Sequence, residues 1–154
     1  MTLLFLDVDG PLLPFTHRST SPPDPAHPLL QRLNPADGPR LLALGCDLIW
    51  ATTWMSDAND LVAPRLSLPP LPVLDLPAET TPPPLNGLHW KTPYITAQAD
   101  GRPFVWLDDE ISETDRWWTE TAYPGPALLH RVDPHVGLAE GDFAAVRSWV
   151  DGHR

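Results

Sequence analysis

Seven residues have the side chains to build a charged site, and they lie in four short stretches: Asp7 and Asp9, Thr52 and Thr53, Lys91, and Asp108 and Asp109. Asp7 and Asp9 are one residue apart and are followed by Gly10. Two carboxylates that close repel unless a cation or a shared proton compensates. The acidic tip therefore points to a metal site. Taken alone it suits a solvated turn equally well, because Asp and Gly favour turns. The set says more than any member. A hydroxyl pair stands between two acid pairs in chain order, and randomly placed turn residues have no reason to fall that way. Lys91 is the only lysine, the other cationic side chains being arginines. One lysine in an arginine-rich chain hints that a compact ammonium is needed there.

These residues need elements to bring them together. Leu3-Leu4-Phe5-Leu6 is a short apolar run, read as a strand buried on both faces that ends at Asp7. Cys46 to Ala51 is a second such run and ends at Thr52. Pro103 to Leu107 is another and ends at Asp108. Ala127 to Val132 is a last strand, and Leu71 to Leu74 reads as a short additional one. Helices are expected over 35–45, 56–63, from near Leu88 to Ala99 with Pro93 in the first turn, after Ser112, and over 142–150. Ser112 suits an N-cap, with Asp115 completing an imperfect capping box. Phe143, Val146 and Val150 share one face of the last helix. Strands alternating with helices imply an α/β three-layer Rossmann-like sandwich with a mostly parallel sheet. A parallel sheet puts all three strand ends on one edge, where ligands bind in such folds.

Size and composition fit one domain. The chain has 154 residues, 42% of them hydrophobic, and a net charge of -10. That charge disfavours nonspecific binding to nucleic acid or to an anionic membrane. One cysteine, Cys46, allows no internal disulfide, which suits a reduced, cytoplasmic setting. Met1 to Leu6 lacks a basic n-region, so no signal peptide is expected, and no apolar run is long enough to span a bilayer. The 21 prolines gather in Ser21 to Pro28 and from Pro69 to Pro84, which read as stiff extended loops.

The four stretches, in their order, resemble the haloacid dehalogenase-like (HAD) superfamily of phosphohydrolases. Its motifs are an apolar strand ending Asp-x-Asp-Gly, a strand ending in Thr or Ser, a Lys at the start of a helix, and a strand ending in an acidic pair. Here they are Leu4-Phe5-Leu6-Asp7-Val8-Asp9-Gly10, Ile49-Trp50-Ala51-Thr52, Lys91, and Trp106-Leu107-Asp108-Asp109. The wording Trp50-Ala51-Thr52-Thr53-Trp54, His89-Trp90-Lys91-Thr92 and Trp106-Leu107-Asp108-Asp109-Glu110 is similar to a subgroup, the HAD domains associated with Swiss Army Knife RNA repair proteins.

The resemblance implies a Mg²⁺-dependent phosphatase. Asp7 would be the nucleophile, Asp9 the general acid and base, and Thr52 the phosphate-binding hydroxyl, with Thr53 as the alternative. Lys91 would neutralise charge. Asp7, the main-chain carbonyl of Asp9, and Asp108 would hold Mg²⁺, with Asp109 behind them. Trp54 and Trp90 flank these residues and would wall a substrate pocket. The substrate is an unidentified phosphomonoester. A phosphate-binding or regulatory module on the same fold, a phosphotransferase or dehalogenase, and a phosphatase for nucleic-acid ends are the alternatives. The superfamily usually has Thr or Val after Asp-x-Asp-Gly. Here Pro11 stands there, which puts the local turn geometry in question.

Neither gap between the motifs holds enough chain for a separate cap with its own core. A minimal cap and an open site are expected, with a flap over about 11–34 and a proline-rich loop over about 64–87. No glycine-rich phosphate loop is present. His130, Asp133 and His135 read as a surface loop, and Cys46 as a buried strand residue.

Overall fold

The structure is a computed structural model, describing residues 1–16, 25–77 and 87–154. Four parallel strands form one sheet: β1 (Leu3–Leu6), β2 (Asp47–Trp50), β3 (Phe104–Asp108) and β4 (Ala127–Arg131), in the order β2-β1-β3-β4. Leu6 pairs with Trp50 on one side and Leu107 on the other, so β1 lies at the centre.

Alternation within the strands builds two cores. Leu4, Leu6, Leu48, Trp50, Val105 and Leu107 face one way, against Leu41 of helix α1 (Asp37–Leu42) and Phe143, Val146 and Val150 of helix α4 (Glu140–Gly152). Leu3, Phe5, Ile49, Phe104, Trp106 and Leu129 face the other way, against Ile95 and Ala99 of helix α2 (Thr92–Ala99). Helix α3 (Glu113–Ala122) lies on this second side, tied to β4 by an Arg116 Nε hydrogen bond to the Leu129 carbonyl. The result is the expected α/β three-layer sandwich. Every residue of β1 and β3 is buried, which is why their apolar runs are unbroken.

Two local expectations need correction. Leu71 to Leu74 is not a strand: only Val73 bridges to Trp50. Asn59 fixes that segment instead, by donating to the Leu71 carbonyl and accepting from both Leu71 N–H and the Trp50 indole, each at 2.8 Å. The segment meets β2 at that single parallel bridge, where Trp50 N–H donates to the Pro72 carbonyl and Leu74 N–H donates to the Trp50 carbonyl, too short a pairing for a ladder. The helix expected over 56–63 is a π-turn at Ala58–Val62 followed by a 3₁₀ turn at Ala63–Leu66, with Pro64 in the second turn. Proline lacks the N–H that a continuous α-helix would use. Within the flap expected over about 11–34, Pro28–Arg32 forms a 3₁₀ helix.

Described parts of both long gaps sink into the main core rather than forming one of their own: Leu12, Leu13, Leu30 and Leu33 are buried there, as are Leu66, Leu68 and Leu71. The flap tip over 17–24 and the proline tract over 78–86 lie outside the described residues. Among the described residues, no helix is long and apolar enough to cross a membrane.

Candidate metal and phosphate site

Parallel strands deliver the motif residues to one edge. Asp7 follows β1 directly, and its N–H donates to the Leu107 carbonyl at 3.1 Å. Asp108 is the last residue of β3 and is fully buried. The Asp7, Asp108 and Asp109 carboxylates offer oxygens that all lie within 4.8 Å of one another. The Asp7 carboxylate also accepts from Val8 N–H at 2.8 Å, and Asp108 accepts from Glu110 N–H at 3.0 Å.

Lys91 occupies the N-cap position of α2, with no side-chain capping bond, and is 4% exposed. Its Nζ lies 2.9 Å from Asp108 Oδ2 and 3.3 Å from Asp7 Oδ2. Burial alone would lower the pKa of this ammonium, but the Asp7 and Asp108 carboxylates outweigh burial and hold it above the ordinary value. One cation against three carboxylates leaves an excess of negative charge. Burial, then the Asp108 charge, pushes Asp7 well above the usual carboxylate range, against the pull of Lys91. Burial and Asp108 push Asp109 up to about 6. A divalent cation relieves this repulsion, and a set of carboxylate oxygens suits a hard ion such as Mg²⁺. The residues present therefore fit the metal that the sequence implies.

Gly10 locks the two acid pairs together. Its φ is +100°, and a Cβ there would stand 2.7 Å from Asp109 Cγ. Only glycine meets both demands. Pro11 leaves the turn intact. Leu12 and Leu13 donate to the Val8 carbonyl, Gly10 donates to Leu13, and the Pro11 carbonyl accepts from Leu138 N–H. None of these bonds uses the N–H that proline lacks.

The remaining expected residues divide by exposure. Thr52 is fully buried, and its hydroxyl oxygen accepts from Trp54 N–H at 3.2 Å, which leaves its own O–H to donate. Thr53 is exposed. Asp9 is exposed too, and its carboxylate stands apart from the acidic cluster. It accepts from the Trp54 indole Nε1–H at 3.1 Å. The half-buried Trp90 ring stacks near His89, and Lys91 Nζ lies 5.9 Å from its centre. His130 Nε2 lies 2.6 Å from Asp142 Oδ1, joining β4 to α4, while Asp133 accepts from His135 N–H. Among the described residues these form no metal cluster. Cys46 is half-buried beside the core, with its thiol pushed up by burial.

Asp115 does more than its capping position suggests. It is fully buried and accepts from Ser112 N–H and Oγ, from His89 N–H and from the Thr92 hydroxyl, at 2.8–2.9 Å. Burial opposes its charge, yet these four donors hold its pKa below the usual range. His89 Nδ1 in turn accepts from Lys91 N–H at 3.1 Å. The residues on either side of Lys91 are thus anchored to α3 through one carboxylate. The capping box was visible in the sequence. The bonds to His89 and Thr92 cross more than 20 residues and left no local signal.

A parallel α/β sandwich with an acidic cluster at the ends of β1 and β3, and a lysine at the start of α2, is a HAD-like domain. The family described as the HAD domain in Swiss Army Knife RNA repair proteins matches residues 3–143, and the chain belongs to it. No curated protein and no solved structure matches the chain.

Proposed function

We propose that the protein is a Mg²⁺-dependent phosphomonoester hydrolase that works through an aspartyl-phosphate. The observation that supports this best is the buried Asp7–Asp108–Asp109 cluster with the Lys91 ammonium against two of its members. Asp7 attacks phosphorus, and the bond to the leaving oxygen breaks with its electron pair. Asp9 gives that oxygen a proton. Asp9 then takes a proton from water, which attacks phosphorus, frees Asp7 and releases phosphate. Thr52 O–H donates to a phosphoryl oxygen, and Lys91 balances the charge on Asp7 and the phosphoryl group. Asp7, Asp108, Asp109 and the main-chain carbonyl of Asp9 would hold Mg²⁺, which when bound neutralises the transferring group.

A phosphate on a nucleic-acid end is a second reading of the substrate, favoured by the description of the family. The net charge of -10 weighs against a long polyanion. A panel of free phosphometabolites and 5′- or 3′-phosphorylated oligonucleotides with Mg²⁺ tests both. We expect turnover of at least one class, its loss in excess chelator, and its loss in Asp7→Asn with the fold kept. Normal turnover by Asp7→Asn, or by the wild type in chelator, would overturn the mechanism.

A further inference from the structure

We propose that Trp54 is a positioning residue that sets the orientation of the Asp9 carboxyl through its indole N–H. The inference rests on the phosphatase reading above and names how its acid and base is aimed. A carboxyl on an exposed turn rotates easily about its last torsion, which has a broad, roughly two-fold profile. Asp9 is such a group, yet Trp54 Nε1–H reaches its Oδ2 at 3.1 Å. An indole nitrogen only donates. Oδ2 is thereby kept as an acceptor, and the proton that Asp9 gives and takes is directed to Oδ1. The same bond serves both half-reactions. Oδ1 carries the proton towards the leaving oxygen, and the emptied Oδ1 later receives one from water.

Trp54 is itself held. Its own N–H donates to Thr52 Oγ1 at 3.2 Å, and Met55 N–H donates to the Thr52 carbonyl at 3.2 Å. Met55 sits at φ +50°, a left-handed conformation that a side-chain-bearing residue adopts only where its surroundings impose it. The Trp54 ring packs against the core beside α1 and α4. One tight turn after β2 therefore carries both the buried Thr52 hydroxyl and the donor to Asp9. This differs from the role of a pocket wall, in which the ring face would matter and the N–H would not.

Leaving-group dependence separates the two roles. In kcat/KM, which reports the steps up to transfer onto Asp7, protonation by Asp9 matters most for poor leaving groups. The test measures kcat/KM with Mg²⁺ for p-nitrophenyl phosphate and for phenyl phosphate, using the full-length wild type, Trp54→Phe, Asp9→Asn and the double variant. Positioned proton transfer is worth about 10²–10⁴-fold. We expect Trp54→Phe to lower the phenyl phosphate value by about tenfold more than the p-nitrophenyl phosphate value. On the Asp9→Asn background the same substitution should add little, because its effect passes through Asp9. Equal losses on both esters, no loss on either, or an undiminished further loss in the double variant would overturn the proposal. If Trp54→Phe does not melt cooperatively, Trp54→Met, which also lacks the N–H, replaces it. A wild type that hydrolyses neither ester would instead sink the phosphatase reading, and this inference with it.

Discussion

The two faces of the sheet bury the same strands by different means. On the α1–α4 face, Leu41, Phe143, Val146 and Val150 meet Leu4, Leu6, Val105 and Leu107. This layer is held mainly by apolar packing, with the His130–Asp142 contact beside β4, the Arg40 guanidinium 4.2 Å over the Phe143 ring, and Arg147 and Arg154 donating to the Ala43 and Leu44 carbonyls at its margin. On the α2–α3 face, Ile95 and Ala99 meet Phe5, Phe104 and Trp106, but a buried polar network runs alongside them. Asp115 accepts from Ser112, His89 and Thr92, and Thr119 Oγ1 donates to the Asp115 carbonyl at 2.7 Å. That network ends at Lys91. Apolar contact is non-directional, so it fixes where a helix lies and tolerates repacking. Hydrogen bonds have preferred angles and lengths, so they fix where an ammonium points. The face that carries the charged lysine is the one braced by directional bonds.

This contrast can be broken at four places. Lys91→Ala has the largest expected effect, since it leaves Asp7, Asp108 and Asp109 without their cation. In metal-free protein it should cost about 3–5 kcal/mol in denaturant unfolding, and activity with Mg²⁺ should be lost. A melt matching wild type in chelator would show that the ion pair is not the brace described. Leu41→Ala, on the apolar face, should cost about 2–5 kcal/mol. Its kcat and KM should match wild type at a temperature where the variant is folded. A changed kcat would mean that the two faces are not functionally separate.

Asp115→Asn tests the polar face. It keeps one acceptor but turns an amide NH₂ towards donors, and bonds to charged groups are worth about 1.5–3 kcal/mol each. A loss of that order should come with a fall in kcat of about tenfold, because Lys91 loses its anchor. Lost stability with an unchanged kcat would reduce Asp115 to a helix cap. The smallest effect concerns pH. The folded-state pKa of Asp109, about 6, lies above its ordinary 3.8. The native state therefore holds more protons than the unfolded state between about pH 4 and 6, and stability falls as pH rises through that window. In chelator, wild type should lose stability relative to Asp109→Asn across it, and Mg²⁺ should remove the difference. A flat difference would mean that burial and the Asp108 charge do not raise Asp109 in the folded protein.

Much of this was legible locally. The unbroken apolar runs of β1 and β3 announced strands covered on both faces, and helices between strands required a parallel sheet. Those two facts alone bring Asp7, Thr52 and Asp108 to one edge, whatever the packing details. Ser112 and Asp115 announced the start of α3, since a capping box is read within four residues. Tertiary structure decided the rest. Nothing local distinguishes Asp7 from Asp9, yet Lys91 pairs with the first and Trp54 with the second. Nothing local separates Thr52 from Thr53, of which only the first is buried. The run Leu71 to Leu74 has the composition of a strand, but it meets β2 at a single bridge, and Asn59 takes up both backbone groups of Leu71. Periodicity and capping depend on neighbours along the chain. Which carboxylate loses its water, and which donor reaches it, depends on groups that meet only when distant segments pack.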